Sequence, residues 1–388
     1  MNSRSERSSD FSSAEYAGRL ARVRSRMREA GVEVLLVDTP ENITYLTGFY
    51  SGGYYMYTCA VVPAEGDVRL VLRHAELGNA KASTRVENLS LYDDTVDPIA
   101  RVADQVKPLA APEKVAVELS SSFLTVHRLR ELGRMLGCAP DTLKDGSAFV
   151  LEERKVKSVE EIARIRSACR MASEGMRAAV ETVDVGKTEN DVAAAIFTSL
   201  TGNGCEFLAM EPYVNAGRRT GIVHASWSGQ RIRGGDPVLI EIAGCDRRYH
   251  GALMRTVLVG AVPGEIREWA EVANASLEAA IEAIRPGVTS GEVDAACRMV
   301  VEAAGLYEQF RKRTGYSIGL AYAPDWGEGH FLGLQRDDPT VLVPGMVFHM
   351  PPAIRELGLY GFGLSETVLV TESGCDVLTV YPERFVEK

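Results

Sequence analysis

The stretch DPVLIEIAGCDRRYHGALMRTVLVG, residues 236–260, decides the reading of the whole chain. Two runs rich in β-formers, residues 238–242 and 255–259, flank a polar turn, which predicts a hairpin. Glu241 interrupts the first run between Ile240 and Ile242. Alternation along a half-buried strand puts such a carboxylate on the wetter face, the commoner fate of a strand glutamate. A carboxylate held between isoleucines is also a place where burial raises a pKa and acid–base chemistry becomes available.

Around this hairpin the sequence repeats itself. GKTENDV at residues 186–192 returns as GVTSGEV at residues 287–293, each after an amphipathic helix and each opening another. In both, threonine has the N-cap position and an acid follows three residues later, the capping-box spacing. Two α–β halves related by an approximate two-fold account for the pair. Upstream, the charged run LEERKVKSVEEIARIRSACRMA becomes an amphipathic helix capped by Ser158 and Glu161, and the domain boundary falls here. Before it, residues 13–30 form a helix ending at Gly31, and residues 32–38 form a buried strand. A glycine- and tyrosine-rich loop, PENITYLTGFYSGGYYMYT, follows, and helix and strand patterns alternate to about Phe149. The expected division is a disordered leader over residues 1–14, an α/β domain over 15–150 and a second domain over 151–388. Six tyrosines of the first domain (Tyr45, Tyr50, Tyr54, Tyr55, Tyr57, Tyr92) suit core or interface packing, or contact with a ligand from the loop.

Composition narrows the function classes. With 388 residues, 46% hydrophobic and 25% charged, the chain can bury two cores. The net charge of −10 with no basic cluster argues against nucleic acid as a partner. No apolar run approaches membrane-spanning length and residues 1–14 lack the apolar segment of a secretion signal, so a cytoplasmic protein with a small-molecule ligand is expected. The seven scattered cysteines contain no CxxC pair and suggest neither a disulfide framework nor a thiolate zinc site. Of the six histidines, His74 and His127 read as surface or structural, while His224, after the loop VNAGRRTGIV, is the best acid–base partner for Glu241. His250, His330 and His349 each lie near a candidate strand. The Arg218-Arg219 pair in the same loop could meet a carboxylate.

The chain resembles the pita-bread family of methionine aminopeptidases, prolidases, aminopeptidase P and creatinase. TPENITYLTG and RKVKSVEEIARIR resemble the creatinase and prolidase branch, which adds an N-terminal domain, and the likeness covers nearly the whole chain. The implied fold is α/β (α+β), a creatinase-like α/β domain followed by a pita-bread domain with internal pseudo-two-fold symmetry. Metal-binding members hold two ions through five ligands, and the matching positions here are Glu241, Ala252, Tyr316, Pro351 and Ser365. Alanine, proline, serine and tyrosine do not supply hard-oxygen and imidazole donors for two divalent ions, so no metal and no cofactor is expected. Arg255-Thr256 of the ligand turn persists. His224 matches the proton-transferring residue of creatinase, whose two substrate-binding glutamates are replaced by Met254 and Ser365.

EIAGCDRRYHGALMRTVLVG, RTGYSIGLAYAPDWGE and VLVPGMVFHM, with LSETVLVTESG later, look most like ectoine hydrolase, a metal-independent member that opens a cyclic amidine. The resemblance implies Glu241 as the group that attacks or activates water, His224 as proton carrier, and Tyr316, Asp325, Trp326, Arg255, Glu366, His349 and Tyr50 as substrate-binding residues. It also implies a homodimer in which residues 49–57 of one subunit close the other's pocket. Two departures, Phe49-Tyr50-Ser51-Gly52-Gly53 in place of a tryptophan-containing stretch and Gly363 in place of a glutamate, imply an altered specificity shell. The expected function is metal-independent hydrolysis, or related C–N chemistry, on a small cyclic amidine or guanidine-type amino acid. An Xaa-Pro metallopeptidase and an inactive pita-bread binding protein are the alternatives.

Overall fold

The computed structural model describes residues 11–388, which divide after Arg154 into two compact units. Of the stretch read as a leader, residues 1–10 lie outside the described residues. Residues 11–14 already belong to the fold. Ser12 Oγ accepts from the Glu15 N–H at 3.1 Å and starts the helix Ser13–Glu29, while Phe11 is buried with the Arg19 guanidinium 4.3 Å from its ring centre. A capping hydroxyl and a cation over an aromatic face order this short polar segment. The helix Ser147–Arg154 packs on Ser13–Glu29, so the first unit continues past residue 150.

The first unit is built on a six-stranded sheet in the order Asn88–Tyr92, Arg69–Arg73, Cys59–Pro63, Val34–Val37, Val115–Val117, Lys144–Asp145. PENITYLT, read as the opening of a loop, is instead the helix Pro40–Thr47. Proline in its first turn needs no N–H, and Gly48, at φ 72°, ends it in the left-handed conformation glycine allows. Glu118 ties the preceding turn together, accepting from the Asp38 and Thr39 N–H groups at 2.9 Å each and from Asn42 Nδ2 at 2.5 Å. Tyr45, Tyr57 and Tyr92 are core residues, whereas Tyr55 is 70% exposed. Tyr50 and Tyr54 are partly buried.

The second unit repeats one pattern twice. In its first half the helices Val159–Thr182 and Glu189–Gly202 back a sheet containing Tyr213–Ala216, Pro237–Asp246 and Tyr249–Leu258. In its second half the helices Gly264–Ala283 and Ser290–Ala303 back Gly315–Ser317, Val347–Met350 and Glu366–Val370. Thr188 with Asp191 and Thr289 with Glu292 both form complete capping boxes, as does Ser158 with Glu161. The correspondence extends to the backbone: the Gly186 N–H donates to Ile232 at 3.0 Å, and its counterpart Gly287 to Leu342 at 3.0 Å. Local capping signals thus placed three of these four helix starts, Gly264–Ala283 beginning after Pro263 without a side-chain cap, and the two-fold follows from the repetition at Thr188 and Thr289.

The hairpin is longer than the β-rich runs suggested. All ten residues of Pro237–Asp246 pair with Tyr249–Leu258, leaving only Arg247 and Arg248 as the turn, at φ 52° and 67°. Two positive φ values give a tight turn of the right twist, normally assigned to asparagine and glycine. Here tertiary contacts hold arginine in it: buried Arg248 stacks 3.9 Å from the Phe207 ring centre and donates to the Ala321 carbonyl at 2.9 Å. The paired glycines Gly244 and Gly251 let helix Val159–Thr182 lie against the hairpin, because a Cβ at Gly244 would come within 2.1 Å of the Ala168 carbonyl oxygen. All seven cysteines are free thiols. No helix of the described residues is long and apolar enough to cross a membrane.

Candidate active site

Glu241 pairs with Tyr213 on one side and Met254 on the other. Directly paired residues share a sheet face. Ile240 and Ile242 therefore point into the helix-backed core of the first half, and Glu241 points the other way. That other face is not the solvated one that alternation suggests. Leu239 and Met254 pack there on Ala353, so the hairpin of Ala353–Arg355 with Gly361–Gly363 covers it. Glu241 stays partly accessible within the covered face. Desolvation raises its pKa above the usual glutamate value; Lys312, Arg355 and His224 oppose the rise, and Asp325 adds to it.

His224 is exposed, adopts φ 58°, and stacks on Tyr213 with ring centres 5.6 Å apart and planes at 23°. A non-glycine residue at positive φ persists only where its surroundings hold it. The anchor is Glu189, wholly buried at the start of helix Glu189–Gly202. Its carboxylate accepts from the Ala216 N–H at 2.9 Å and the Ser228 N–H at 2.7 Å, and pairs with Arg219 Nε at 3.2 Å. Both ends of the loop carrying His224 are thereby fixed.

Tyr316 comes in from the second half. Its Oη accepts from Trp326 Nε1 at 3.0 Å and contacts His349 Nδ1 at 2.8 Å, while His349 Nε2 reaches Ser365 Oγ at 2.7 Å. Burial raises the Tyr316 pKa well above that of a free phenol, with Glu241 adding to it, so the hydroxyl stays neutral. Burial pushes His349 down to about 3, with Lys312 adding to it, so it is an uncharged link in this chain. Trp326 is fully buried, its ring edge against Tyr213 at 6.2 Å. Asp325 is exposed, closes its own turn by accepting from the Gly327 N–H at 2.8 Å, and acts on Glu241, Tyr213 and Tyr316 together. Glu241, His224, Tyr316, Asp325 and Trp326 thus converge, with His349 behind Tyr316.

Residues 163–372 match the model of metallopeptidase family M24, and residues 19–156 match the creatinase/prolidase N-terminal domain. The chain belongs to family M24. It is 28% identical to the ectoine hydrolase of Halomonas elongata, with 97% of this chain and 98% of that protein aligned. It is 32% identical to an uncharacterized hydrolase/peptidase of Sinorhizobium fredii, over 97% of this chain and 98% of that one. Among solved structures, dipeptidase PepE from Mycobacterium ulcerans superposes with a TM-score of 0.82 at 27% identity, covering 97% of this chain and 99% of that one. The prolidase of Thermococcus sibiricus, at 22% identity, shares the fold with a TM-score of 0.86, over 97% and 100% of the two chains. M24 members are hydrolytic enzymes, and this chain is a hydrolase of that family.

The donor set does not fit the two metal ions that the family name implies. Ala252 and Pro351 carry no side-chain donor, Ser365 Oγ is engaged by His349 and by the Met254 N–H at 2.6 Å, and Tyr316 is tied to Trp326 and His349. Among the described residues no group of three or more histidine, cysteine, aspartate or glutamate side chains could hold a metal ion.

For several sequence-derived candidates the structure gives a different setting. Arg255 pairs with Ile240, on the sheet face away from Glu241, and its Nη2 bonds Glu366 Oε1 at 2.7 Å in a fully buried ion pair. Its other donors reach the Glu383 carbonyl at 2.8 Å and the Ser365 carbonyl at 2.6 Å, and the second Glu366 oxygen accepts from Thr379. The reading of both as substrate-binding residues is corrected: they join strands, and their polar atoms are spent on the protein. Arg219 is likewise held by Glu189, and Arg218 donates to the Gly358 carbonyl at 3.3 Å, so the arginine pair is bound to the fold. Tyr50 belongs to the first unit. At Gly363 a Cβ would lie 2.9 Å from that of Ala353, which explains why no glutamate fits there.

Four residues at or behind the site escaped the sequence reading: Tyr213, Glu189, Lys312 and Arg355. Tyr213 is recognisable only once its strand is registered against Glu241. Glu189 sits in the TEND capping box, but its partners are 27 to 41 positions away. Lys312 and Arg355 carry no motif.

Proposed function

We propose that this M24 hydrolase works without a metal on a small cyclic amidine or guanidine-type amino acid, with Glu241 and His224 as its catalytic pair. The observation that carries this reading is the setting of Glu241. It is the one acid at the five family ligand positions, and it stands on a covered sheet face with His224, Tyr316 and Asp325 around it. An amidinium carbon is already electron-poor and needs a carboxylate rather than a Lewis acid. Glu241 either adds to that carbon or takes a proton from the water that adds. The C–N bond then breaks, and His224 delivers a proton to the departing nitrogen; where Glu241 has added, water next displaces its carboxylate from the carbon and returns a proton to His224, so that on either route water's hydroxyl ends on carbon and its proton on nitrogen. Bound cation favours the Glu241 anion over the protonated form that desolvation favours. Tyr316 donates to the substrate, and Trp326 walls the pocket. The ectoine hydrolase relative supports this chemistry, while the crowded Gly363 favours a different ring substituent.

The test is turnover of a panel of cyclic amidines, creatine-like guanidines and Xaa-Pro dipeptides, with and without chelator. Glu241→Gln and His224→Ala are expected to abolish hydrolysis of whichever amidine is accepted, and chelator is expected to change nothing. Cleavage of Xaa-Pro dipeptides dependent on added manganese, cobalt or zinc would establish the peptidase reading that the prolidase structures favour. Binding without product across the panel would establish an inactive binding protein. We further propose a cytoplasmic homodimer in which residues 49–57, including Tyr50, close the partner's pocket. Light scattering and loss of activity in Tyr50→Ala test that arrangement.

A further inference from the structure

We propose that the buried ion pair of Lys157 with Glu328 is a positioning device: it locks the neck of the loop over residues 318–327 and so sets where Trp326 and Asp325 stand in the pocket. The inference rests on the reading of that pocket as the active site. Strand Gly315–Ser317 turns Tyr316 and Ser317 to opposite sides, as neighbours in a strand must. Tyr316 pairs with His349, which its hydroxyl touches, and Ser317 pairs with Phe348, a residue of the helix-backed core of the second half. Lys157 therefore reaches Ser317 from behind the pocket.

There Lys157 Nζ donates to Ser317 Oγ at 2.7 Å and to Glu328 Oε2 at 2.8 Å, and Ser317 Oγ donates to the same Oε2 at 2.9 Å. The Glu328 N–H donates to the Ser317 carbonyl at 2.6 Å, and Ile318 bridges Gly327. The chain thus leaves at Ser317 and returns at Glu328 through one closed neck, with the ammonium across it. Gly319 lies directly on the pair, since a Cβ there would come within 3.1 Å of both Glu328 oxygens and of Lys157 Cε. The ammonium has a fixed support of its own: the Lys157 N–H donates to the Gly345 carbonyl at 2.9 Å, and Ser158 caps the helix that follows.

The loop carries its pocket residues on the returning arm, next to this neck. Trp326 Nε1 donates to Tyr316 Oη at 3.0 Å, and Asp325 accepts from the Gly327 N–H at 2.8 Å. The middle of the loop rests on the hairpin tip, with the His250 N–H donating to the Gly319 carbonyl at 2.8 Å and Arg248 Nη2 to the Ala321 carbonyl at 2.9 Å. Energetics separate orientation from stability. For a lysine and glutamate with side chains only 1% and 2% exposed, attraction does little more than offset the loss of water around both charges. Apolar side chains of similar volume would hold the fold as well, but dispersion contacts are not directional, whereas the hydrogen bonds at the neck fix both its distance and its angle. Both residues lie behind the strand, so they act through the loop and not on substrate.

The experiment uses the full chain labelled with 5-fluorotryptophan; its three tryptophans give three fluorine lines, and that of Trp326 is the one lost in Trp326→Phe. Lys157→Met leaves the Glu328 carboxylate unpaired and should lower the melting temperature. The triple variant Lys157→Met, Ser317→Ala, Glu328→Leu removes the charges and the hydroxyl together and should melt no lower than the unaltered protein. Its Trp326 line should shift or split while those of Trp227 and Trp269 stay in place. With ectoine and the other cyclic amidines of the panel as probes, KM should rise roughly tenfold in the triple variant, the worth of one displaced hydrogen bond to substrate, with kcat falling less. A Trp326 line that stays in place, a KM that does not change, or a triple variant that melts lower or does not fold gives the pair a role in stability alone and overturns the proposal. If the unaltered protein turns over no amidine, the catalytic reading fails, whereas the melting and fluorine measurements still decide about Lys157 and Glu328.

Discussion

Tyr213 and Glu241 are direct partners across the ladder between Tyr213–Ala216 and Pro237–Asp246, and the Tyr213 ring carries His224 on its face. One strand pairing thus sets the spacing between the two catalytic candidates. Tyr213→Leu keeps the pairing and removes the ring face. We expect a fall in kcat of roughly fivefold, from about 1 kcal/mol of lost ring contact, with KM little changed. Tyr213→Phe should restore the rate. Equal loss in both variants would mean that the hydroxyl, and not the stacked face, matters.

Glu189 should position His224 at a distance. Replacing the carboxylate by an amide leaves Arg219 without its counter-charge and sets an NH2 donor against one of the two groups of loop donors, the Ala216 N–H and Arg219 or the Ser228 N–H, at a cost of about 2–4 kcal/mol. Glu189→Gln is expected to lower the melting temperature and kcat together. Proteolysis or hydrogen exchange should show residues 217–230 loosened before the rest, and uniform loosening would contradict the anchoring role.

The Arg255–Glu366 pair should matter for stability and not for substrate. Arg255→Met removes the nearer cation from the buried Glu366 carboxylate, leaving Arg384 Nε at 3.5 Å, and is expected to cost about 3 kcal/mol. Denaturant titration measures that loss, and the protein that remains folded should show an unchanged KM. A raised KM without loss of stability would return both residues to the binding site.

Glu241 must be ionised to act, and desolvation raises its pKa. The acid limb of kcat/KM should therefore lie above the ordinary glutamate value, and activity should appear as pH rises through it. Lys312 opposes the shift, so Lys312→Met should move the limb to still higher pH. A limb that moves down, or stays in place, would show that Lys312 does not face this carboxylate.

His250 and His349 are both buried and held near a pKa of about 3, by desolvation first. Unfolded, each returns toward 6.5, so between 6.5 and 3 the unfolded chain binds more protons than the folded one. Their contribution to stability is complete above pH 6.5 and is lost as pH falls below it, with a slope of up to about 1.4 kcal/mol per pH unit for each. Denaturant midpoints over that window test the slope, and His250→Gln should reduce it. A flat profile would mean that these imidazoles titrate normally.

The capping boxes at Ser158, Thr188 and Thr289 could be read directly, because a hydroxyl and an acid three residues apart satisfy local N–H groups with no help from the rest of the fold. Glu241 was visible for a similar reason, as a charge out of place in a short apolar run. PENITYLT was misread because the tyrosines and glycines after it suggested a loop, although Pro40 and Gly48 mark the ends of a helix. The hairpin was drawn too short, since nothing local calls for a turn at Arg247-Arg248; buried contacts of Arg248 stabilise that conformation.

By itself the sequence determined the two-domain α/β layout, the repeated half of the second domain and the strand that carries Glu241, all of which follow from periodicity and capping between near neighbours. Only the tertiary structure decided what surrounds Glu241. The hairpin from Ala353–Arg355 turns a face expected to be wet into a covered one and brings Arg355 to Glu241 across 114 positions, while the segment before strand Gly315–Ser317 brings the charge of Lys312 to bear on it across 71. The same packing removes Arg255 to the opposite face, although it pairs with Ile240, the neighbour of Glu241 in sequence. Charge pairing acts through space, and a strand reverses its side-chain direction at every residue, so neither outcome is written in local sequence.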